Sequence, residues 1–457
     1  MIILNLPQDF LNRIQSQLDS EYPAFLAACQ EPRVTGLCTN LLKVTPVRLQ
    51  QLLPYLKGVV PWCSNGFYFN ETAVRPAKDP YYHAGLYYIQ EPSAMLPVQL
   101  LGVRPGDRVL DLCAAPGGKS VQIAGILQQN GLLVANDLHP QRAKVLLKNM
   151  ERHGVINMVV TNESPQKLAR VFAGFFDKIL IDAPCSGEGM FRKEPVMMQD
   201  WSYGEVEKYA RWQREILHHV PAMLRSGGEI VYSTCTFSPE ENEKQIADFC
   251  TQFPDFVVTD QKRIWPHRHR GEGHFAAKLV KQMKSTEMGK ANTKNGYSES
   301  KLDSGLVKAL HDFSAHLWGN EHSWRDWLPS HGQVVERMGH VVWEMNETPA
   351  LKGSKILRSG WLLGIWEKGR FRPSQAFAMG LPEQAVASAT NRCDFTTASE
   401  AERYNAIRYL RGETIGSDSE WTKGWHLITV DRFPLGWAKG ALQGLKNEYP
   451  PGWRWED

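Results

Sequence analysis

Two of the eight cysteines stand where a thiol can do chemistry. Cys185 follows Asp182-Ala-Pro at the end of the apolar run Asp177–Pro184, and Cys235 follows Ser233-Thr234 at the end of Glu229–Cys235. A thiolate is a strong nucleophile, and covalent catalysis divides one hard step into two easier ones. Asp182 adds a carboxylate beside them. The other six cysteines (Cys29, Cys38, Cys63, Cys113, Cys250 and Cys393) carry no such context, and no two cysteines form a CxxC pair. That spacing argues against a zinc or thioredoxin-type site. Scattered thiols suit a reducing compartment, where they pack as small apolar residues.

A second constellation is DLCAAPGGKS, between a short apolar run and a helical one. Small residues at a strand-to-helix turn let a ligand approach the backbone, and the helix start that follows offers free N–H groups. The segment is neither GxGxxG nor GxxxxGK[ST], so a dinucleotide or a nucleoside triphosphate is disfavoured. Asp137 ends the next apolar run, about 20 residues beyond the glycines, where an acid can accept hydrogen bonds from a ribose diol. Its competing role is to cap the helix that starts at Pro140. With no pyrophosphate fingerprint, a mononucleoside such as S-adenosylmethionine fits best.

These residues need a scaffold. Strands are expected at Asp107–Cys113, Leu132–Leu138, Asn157–Asn162, Asp177–Pro184 and Glu229–Cys235, with helices at Ser120–Gln129 and Pro140–Gly154. Apolar strands alternating with helices predict a doubly wound α/β core around a parallel sheet. Ligands of such sheets bind at the carboxyl ends of the strands, which is where both cysteines fall. Before the core, Phe10–Leu18 and Val47–Leu56 show helical spacing and Leu37–Val44 reads as a strand, which makes a small α+β module of residues 1–90. Residues 91–284 hold the core. Residues 285–302 read as a polar linker. Residues 303–390 form an intermediate domain and 391–457 a β-rich module, with many tryptophans expected to pack in its core.

At 457 residues the chain has room for about three domains at ~150 residues each. Its 42% hydrophobic and 22% charged residues exclude a disordered or collagen-like chain. The N-terminus lacks a basic region before Pro7 and Asp9, and no run reaches the ~18 apolar residues of a membrane span, so a cytoplasmic protein without membrane contact is expected. The net charge of +3 says little, because the basic residues are local. Residues 262–284 carry Lys262, Arg263, Arg268, Arg270, Lys278, Lys281 and Lys284 against Glu272 alone. Arg268, Arg270 and Lys278, with Lys193 and Arg192 after the Cys185 loop, are candidate phosphate contacts. His267, His269 and His274 lie among them, but no cysteine or paired carboxylate completes a metal set, and no metal is expected.

DLCAAPGGKS, NDL (Asn136–Leu138), DAPCSGEGMFRK (Asp182–Lys193) and YSTCTFSPEENE (Tyr232–Glu243) resemble, in order, the motifs of the Sun-type RNA cytosine-5 methyltransferases. YIQEPSAMLP (Tyr88–Pro97) and WPHRHRGEGHFAAKL (Trp265–Leu279) resemble the family's flanking segments. FPLGWAKGALQGLKNEYPPGWR (Phe433–Arg454) resembles the PUA-like terminal module of the RsmF-type members, which act on 16S ribosomal RNA. The resemblance implies an S-adenosylmethionine-dependent enzyme that forms 5-methylcytosine in 16S rRNA, in the decoding region, as a monomer bound to ribosomal RNA or the small subunit. The family's nucleophile is the cysteine of the TC motif, here Cys235, and the PC cysteine, here Cys185, assists release. Spacing alone does not separate those roles; the PEEN context after Cys235 does. The implied cofactor contacts are Cys113, Ala114, Ala115, Pro116, Gly117, Gly118, Lys119, Asp137 and Asp182, with Ser164 at the adenine and Asn162 or Glu163 as alternatives there. The same chemistry on tRNA or 23S rRNA, or a non-catalytic RNA-binding assembly factor, stays open at this level.

Overall fold

The computed structural model describes residues 6–283, 302–349, 351, 353–416, 421–441 and 444–455. The core elements alternate along the chain. They are β1 (Arg108–Asp111), α1 (Gly118–Leu127), β2 (Leu132–Asn136), α2 (Pro140–Arg152), β3 (Met158–Thr161), α3 (Pro165–Val171), β4 (Phe176–Asp182), α4 (Tyr203–Met223) and β5 (Leu224–Thr234). β2–β1–β4–β5 and β2–β3 pair in parallel. Side chains alternate across the sheet with period two. Leu110, Val134, Val159, Ile179 and Ile230 enter one buried cluster, while Val109, Leu133, Val160, Leu180 and Val231 enter the other. Both faces are therefore covered, and each such side chain contributes roughly 1.5–3 kcal/mol of transfer free energy. The doubly wound α/β expectation holds.

α5 (Glu243–Gln252) leads to β6 (Phe256–Ile264) and β7 (His274–Lys281), which extend the sheet beyond β5 in antiparallel sense. The other edge is closed by a strand the sequence did not announce. β8 (Ile356–Ser359), from the C-terminal region, pairs antiparallel with β3. The full order is β6-β7-β5-β4-β1-β2-β3-β8. β1 and β4 are neighbours although β2 and β3 intervene in sequence, so the strand order reverses between them. A crevice at their carboxyl ends follows.

The N-terminal elements differ from expectation in two places. The strand observed is Gly36–Thr39, so only the first three residues of the run Leu37–Val44 belong to it. Asn40 ends it: its Nδ2 donates to the carbonyls of Gly85 and His153, and its Oδ1 accepts from Leu42 N, turning the chain. The helix expected over Val47–Leu56 spans Pro46–Leu52, and Pro54, which lacks an N–H, stands two residues beyond it. The polar segment 285–302 lies outside the described residues apart from Leu302.

The C-terminal region contains an antiparallel four-stranded sheet (residues 332–373) and a mixed one (residues 392–447). Trp343, Trp361 and Trp437 are buried there. The second sheet shares a hydrophobic core with the N-terminal sheet, where Leu37, Phe67 and Tyr87 join Phe395, Ile428 and Leu435. Among the described residues, no helix is long and apolar enough to cross a membrane.

Candidate active site

The loop from Cys113 to Gly118 joins β1 to α1 at the strand-order reversal. Gly117 has φ +116°, a backbone conformation that side chains rarely adopt, and a Cβ on Gly118 would lie only 2.9 Å from Tyr88 Cε1, so each position favours glycine. The loop is fixed from behind by α2: Arg142 donates to Ala115 O at 2.7 Å and Asn149 to Pro116 O at 2.8 Å. Ala114 N donates to Asn136 O at 2.7 Å. Asp111, fully buried beneath the loop, accepts from Ser120 Oγ at 2.6 Å, and burial pushes its carboxyl up to about 7.

Asn136 is the pin of this end of the sheet. Its Nδ2 donates to Leu112 O and Glu163 O, and its Oδ1 accepts from Thr161 Oγ1 and Glu163 N. The ends of β1, β2 and β3 are thereby held by one buried amide. The sequence displayed Asn136 within NDL but gave no reason to single it out. Asp137 stands just after β2 and ahead of α2. Its Oδ1 accepts from His139 N at 2.9 Å, while its Oδ2 lies 3.6 Å from Arg142.

At the end of β3 the three adenine-side candidates have defined partners. Asn162 Nδ2 donates to the carbonyls of Asp137 and Leu138. Glu163 is buried, pairs with Lys167 and accepts from Lys355 N. Ser164 caps α3, its Oγ accepting from Lys167 N.

Asp182 ends β4, in register with Ser233 on β5. Its Oδ2 meets Lys119 Nζ at 2.6 Å, its Oδ1 accepts from Ser233 Oγ at 2.9 Å, and His274 Nε2 lies 3.5 Å away. Burial alone would raise its pKa, but Lys119 and His274 overcome that and hold the carboxylate well below its usual range. Asp182 is therefore ionised at neutral pH. The sequence places His274 in a basic stretch, where it is weighed only as a metal ligand; pairing of β7 with β5 brings it here.

Cys185 and Cys235 emerge from adjacent strand ends with their sulfurs 3.3 Å apart. The Cys235 sulfur and burial push the Cys185 thiol well up, so Cys185 keeps its proton at neutral pH. Both loops are fastened to one acid. Glu241, fully buried, accepts from Ser186 N at 3.0 Å, from Ser186 Oγ and from Gln213 Nε2 at 2.9 Å. Ser186 Oγ meets Thr236 Oγ1 at 2.9 Å, and Asn242 Nδ2 donates to Thr236 O. Burial raises the Glu241 carboxyl to about 7. Glu188 adds a third link: it pairs with Arg13 of the helix Gln8–Leu18 and accepts from Phe237 N, two residues beyond Cys235.

The chain was compared with known proteins. Its residues 98–280 match the model of 16S rRNA methyltransferase RsmB/F, and residues 6–92 match the N-terminal domain of 16S rRNA methyltransferase RsmF. Residues 318–381 match the first C-terminal domain of RsmF and residues 396–455 its PUA domain. The ribosomal RNA small subunit methyltransferase F of Vibrio cholerae is 31% identical, over 98% of this chain and 97% of that protein. That of Escherichia coli is 31% identical over 97% and 95%. The chain belongs to the ribosomal RNA small subunit methyltransferase F family. Among solved structures, a methyltransferase homologue from Pyrococcus horikoshii is 27% identical with a TM-score of 0.55, covering 61% of this chain and 96% of that one.

S-adenosylmethionine is the cofactor of this family, and the crevice fits it. The Cys113–Gly118 loop presents small residues and an open helix start, Asp137 offers a carboxylate, and two buried acceptors, Asp111 Oδ1 and Gln90 Oε1, have no hydrogen-bond partner among the described residues. The candidate phosphate contacts separate. Lys193 and Arg270 are exposed, Arg270 lying over the Tyr68 ring at 4.2 Å. Arg268 is exposed but paired with Glu21. Lys278 pairs with Glu229 at 3.0 Å, at the middle of β5 rather than its Cys235 end. Arg192 is only partly exposed and pairs with Glu272 at 2.7 Å, so it braces the fold.

Proposed function

We propose that the chain methylates C5 of cytosine in 16S ribosomal RNA through a covalent Cys235 adduct. The observation that carries this reading is the pair of sulfurs at 3.3 Å beside an ionised Asp182. Cys113 to Lys119, Asp137, Ser164 and Asp182 hold the cofactor. S-adenosylmethionine supplies an electrophilic methyl group on its sulfonium sulfur.

Cytosine C5 is a poor nucleophile on its own. The Cys235 thiolate bonds to C6 and breaks the C5–C6 double bond, which makes C5 an enamine carbon that can take the methyl group. The Asp182 carboxylate accepts from the N4 amine and favours the N3-protonated base, the form that a thiolate attacks most readily. Cys185, having first given its own proton to water, then acts as the base that takes the C5 proton; the C5–H electrons re-form the C5–C6 double bond and the Cys235–C6 bond breaks, its electrons returning to the Cys235 sulfur as a thiolate. The contact between the two sulfurs supports this order of events. The main cause of the raised Cys185 pKa is the neighbouring Cys235 sulfur. Once that sulfur is bonded to C6, Cys185 loses its proton more readily, at the stage when a base is needed.

The target base must leave its stack, at a cost of about a few kcal/mol. Lys193 and Arg270 hold the backbone while it does so. The N-terminal module (1–90) and the C-terminal module (391–457) flank the catalytic part and supply further RNA contact.

Bisulfite sequencing of 16S rRNA from a strain lacking the gene tests the proposal. At least one protected cytosine is expected to become convertible, with protection restored by the wild-type chain and not by Cys235→Ala. An unchanged 16S profile would sink it.

A further inference from the structure

A cleft of about 490 Å³ lies on the seam between the N-terminal and C-terminal sheets. Tyr55, Arg75, Asp79 and Tyr81 line it from one side, Thr397 and Arg403 from the other. None of the cysteine-loop or cofactor-loop residues contributes. The seam is welded rather than loose. Tyr81 OH donates to Asp431 Oδ2 at 2.6 Å and meets Thr397 Oγ1 at 2.8 Å, and the two sheets share one apolar core. The cleft is thus preformed, and its volume falls in the ~300–1,000 Å³ range of sites for small organic ligands.

Its charge is unbalanced. Arg75 is exposed and, among the described residues, its side chain has no ion pair or hydrogen bond. Arg403 is 45% exposed and approaches Asp79 only to 3.8 Å. Asp79 already spends Oδ1 on Tyr81 N at 2.9 Å. Two guanidinium groups therefore face one half-committed carboxylate. Guanidinium forks match phosphate oxygens, and a tyrosine ring offers a base a flat face to stack on. Phosphate and base together specify a nucleotide.

We infer that this seam cleft is an RNA anchor, holding one nucleotide of the substrate strand with its phosphate on Arg75 and Arg403 and its base on Tyr55. The inference rests on the reading of the chain as an rRNA methyltransferase, which makes an RNA strand the source of that nucleotide. The anchor requires both modules, since each provides one guanidinium.

The test is equilibrium binding of the full-length chain to in vitro transcribed 16S rRNA over a range of KCl concentrations. Arg75→Gln removes a charge that supports no internal contact. It should weaken binding roughly tenfold and make the log–log salt slope shallower by about 0.7, the value for one phosphate on a single strand. KM for methyl transfer should rise with kcat unchanged, and Arg75→Lys should restore the slope. Wild-type affinity and slope in Arg75→Gln would overturn the inference. So would micromolar binding of cytidine monophosphate by calorimetry that Arg75→Gln abolishes while rRNA binding stays intact, because the cleft would then serve a free nucleotide. Binding is read without methylation. A chain that fails to methylate 16S rRNA yet binds it with an Arg75-dependent slope would refute the functional reading and leave the anchor standing.

Discussion

The sulfurs of Cys185 and Cys235 lie 3.3 Å apart, on loops that follow two neighbouring parallel strands. Contact with the Cys235 sulfur is the first cause of the raised Cys185 pKa, and burial is the second. In the proposed mechanism, the proton held on Cys185 and the bond to the substrate at Cys235 are successive uses of this pair.

The division of labour is tested by single substitutions. Cys235→Ala should abolish methyl transfer while leaving cofactor binding at the wild-type level by calorimetry. Cys185→Ala should still form the adduct and fail to resolve it, giving a protein–RNA band on a denaturing gel. A trapped band from Cys235→Ala instead would reverse the two roles.

The coupling itself has a separate readout. Cys235→Ala removes the first cause of the raised Cys185 pKa and leaves burial, the second. The pH midpoint for alkylation of Cys185 by iodoacetamide, followed by peptide mass spectrometry, should fall relative to wild type. An unchanged midpoint would show that burial alone holds the proton.

The core was legible because it obeys a local rule. Val109 and Leu110 are sequence neighbours that enter opposite clusters, as a doubly covered strand requires. The ends of β4 and β5 could then be read as the ligand edge. β8 could not: Ile356 pairs with Thr161 across a long separation, and its short run carries no period of its own. Charge was also misleading. Arg192 and Lys278 looked like free cations, but Arg192 pairs with Glu272 and Lys278 shares Glu229 with Lys178, partners distant in sequence. The contacts of Asn136 and His274 could not be read because they exist only once three strand ends and β7 have come together.

Arg13 and Glu188 form an ion pair whose side chains are 9% and 0% exposed. Arg13→Ala leaves a buried carboxylate without its cation, which costs about 3–5 kcal/mol. Chemical denaturation should show that loss, and kcat should fall because Glu188 also holds Phe237 N beside Cys235. Adding Glu188→Gln should recover part of the stability, since a neutral amide needs no counter-charge. No recovery in the double variant would mean that Arg13 acts by packing on Phe10 and Trp201 instead.

Glu241 should make stability fall as pH rises. Its carboxyl sits at about 7 in the folded chain against an ordinary value of 4.5, with burial the first cause. The folded state therefore binds the proton more tightly than the unfolded state. That preference stabilises the fold fully below about pH 4.5 and is lost as pH rises through about 7, a change on the order of 3 kcal/mol. Glu241→Gln keeps the shape of the protonated acid but cannot ionise. Its stability relative to wild type should thus improve by about that amount between pH 5 and pH 8, read from urea midpoints at each pH. A difference that stays constant over this range would mean that the carboxylate is already ionised in the fold, its charge compensated by Ser186 and Gln213.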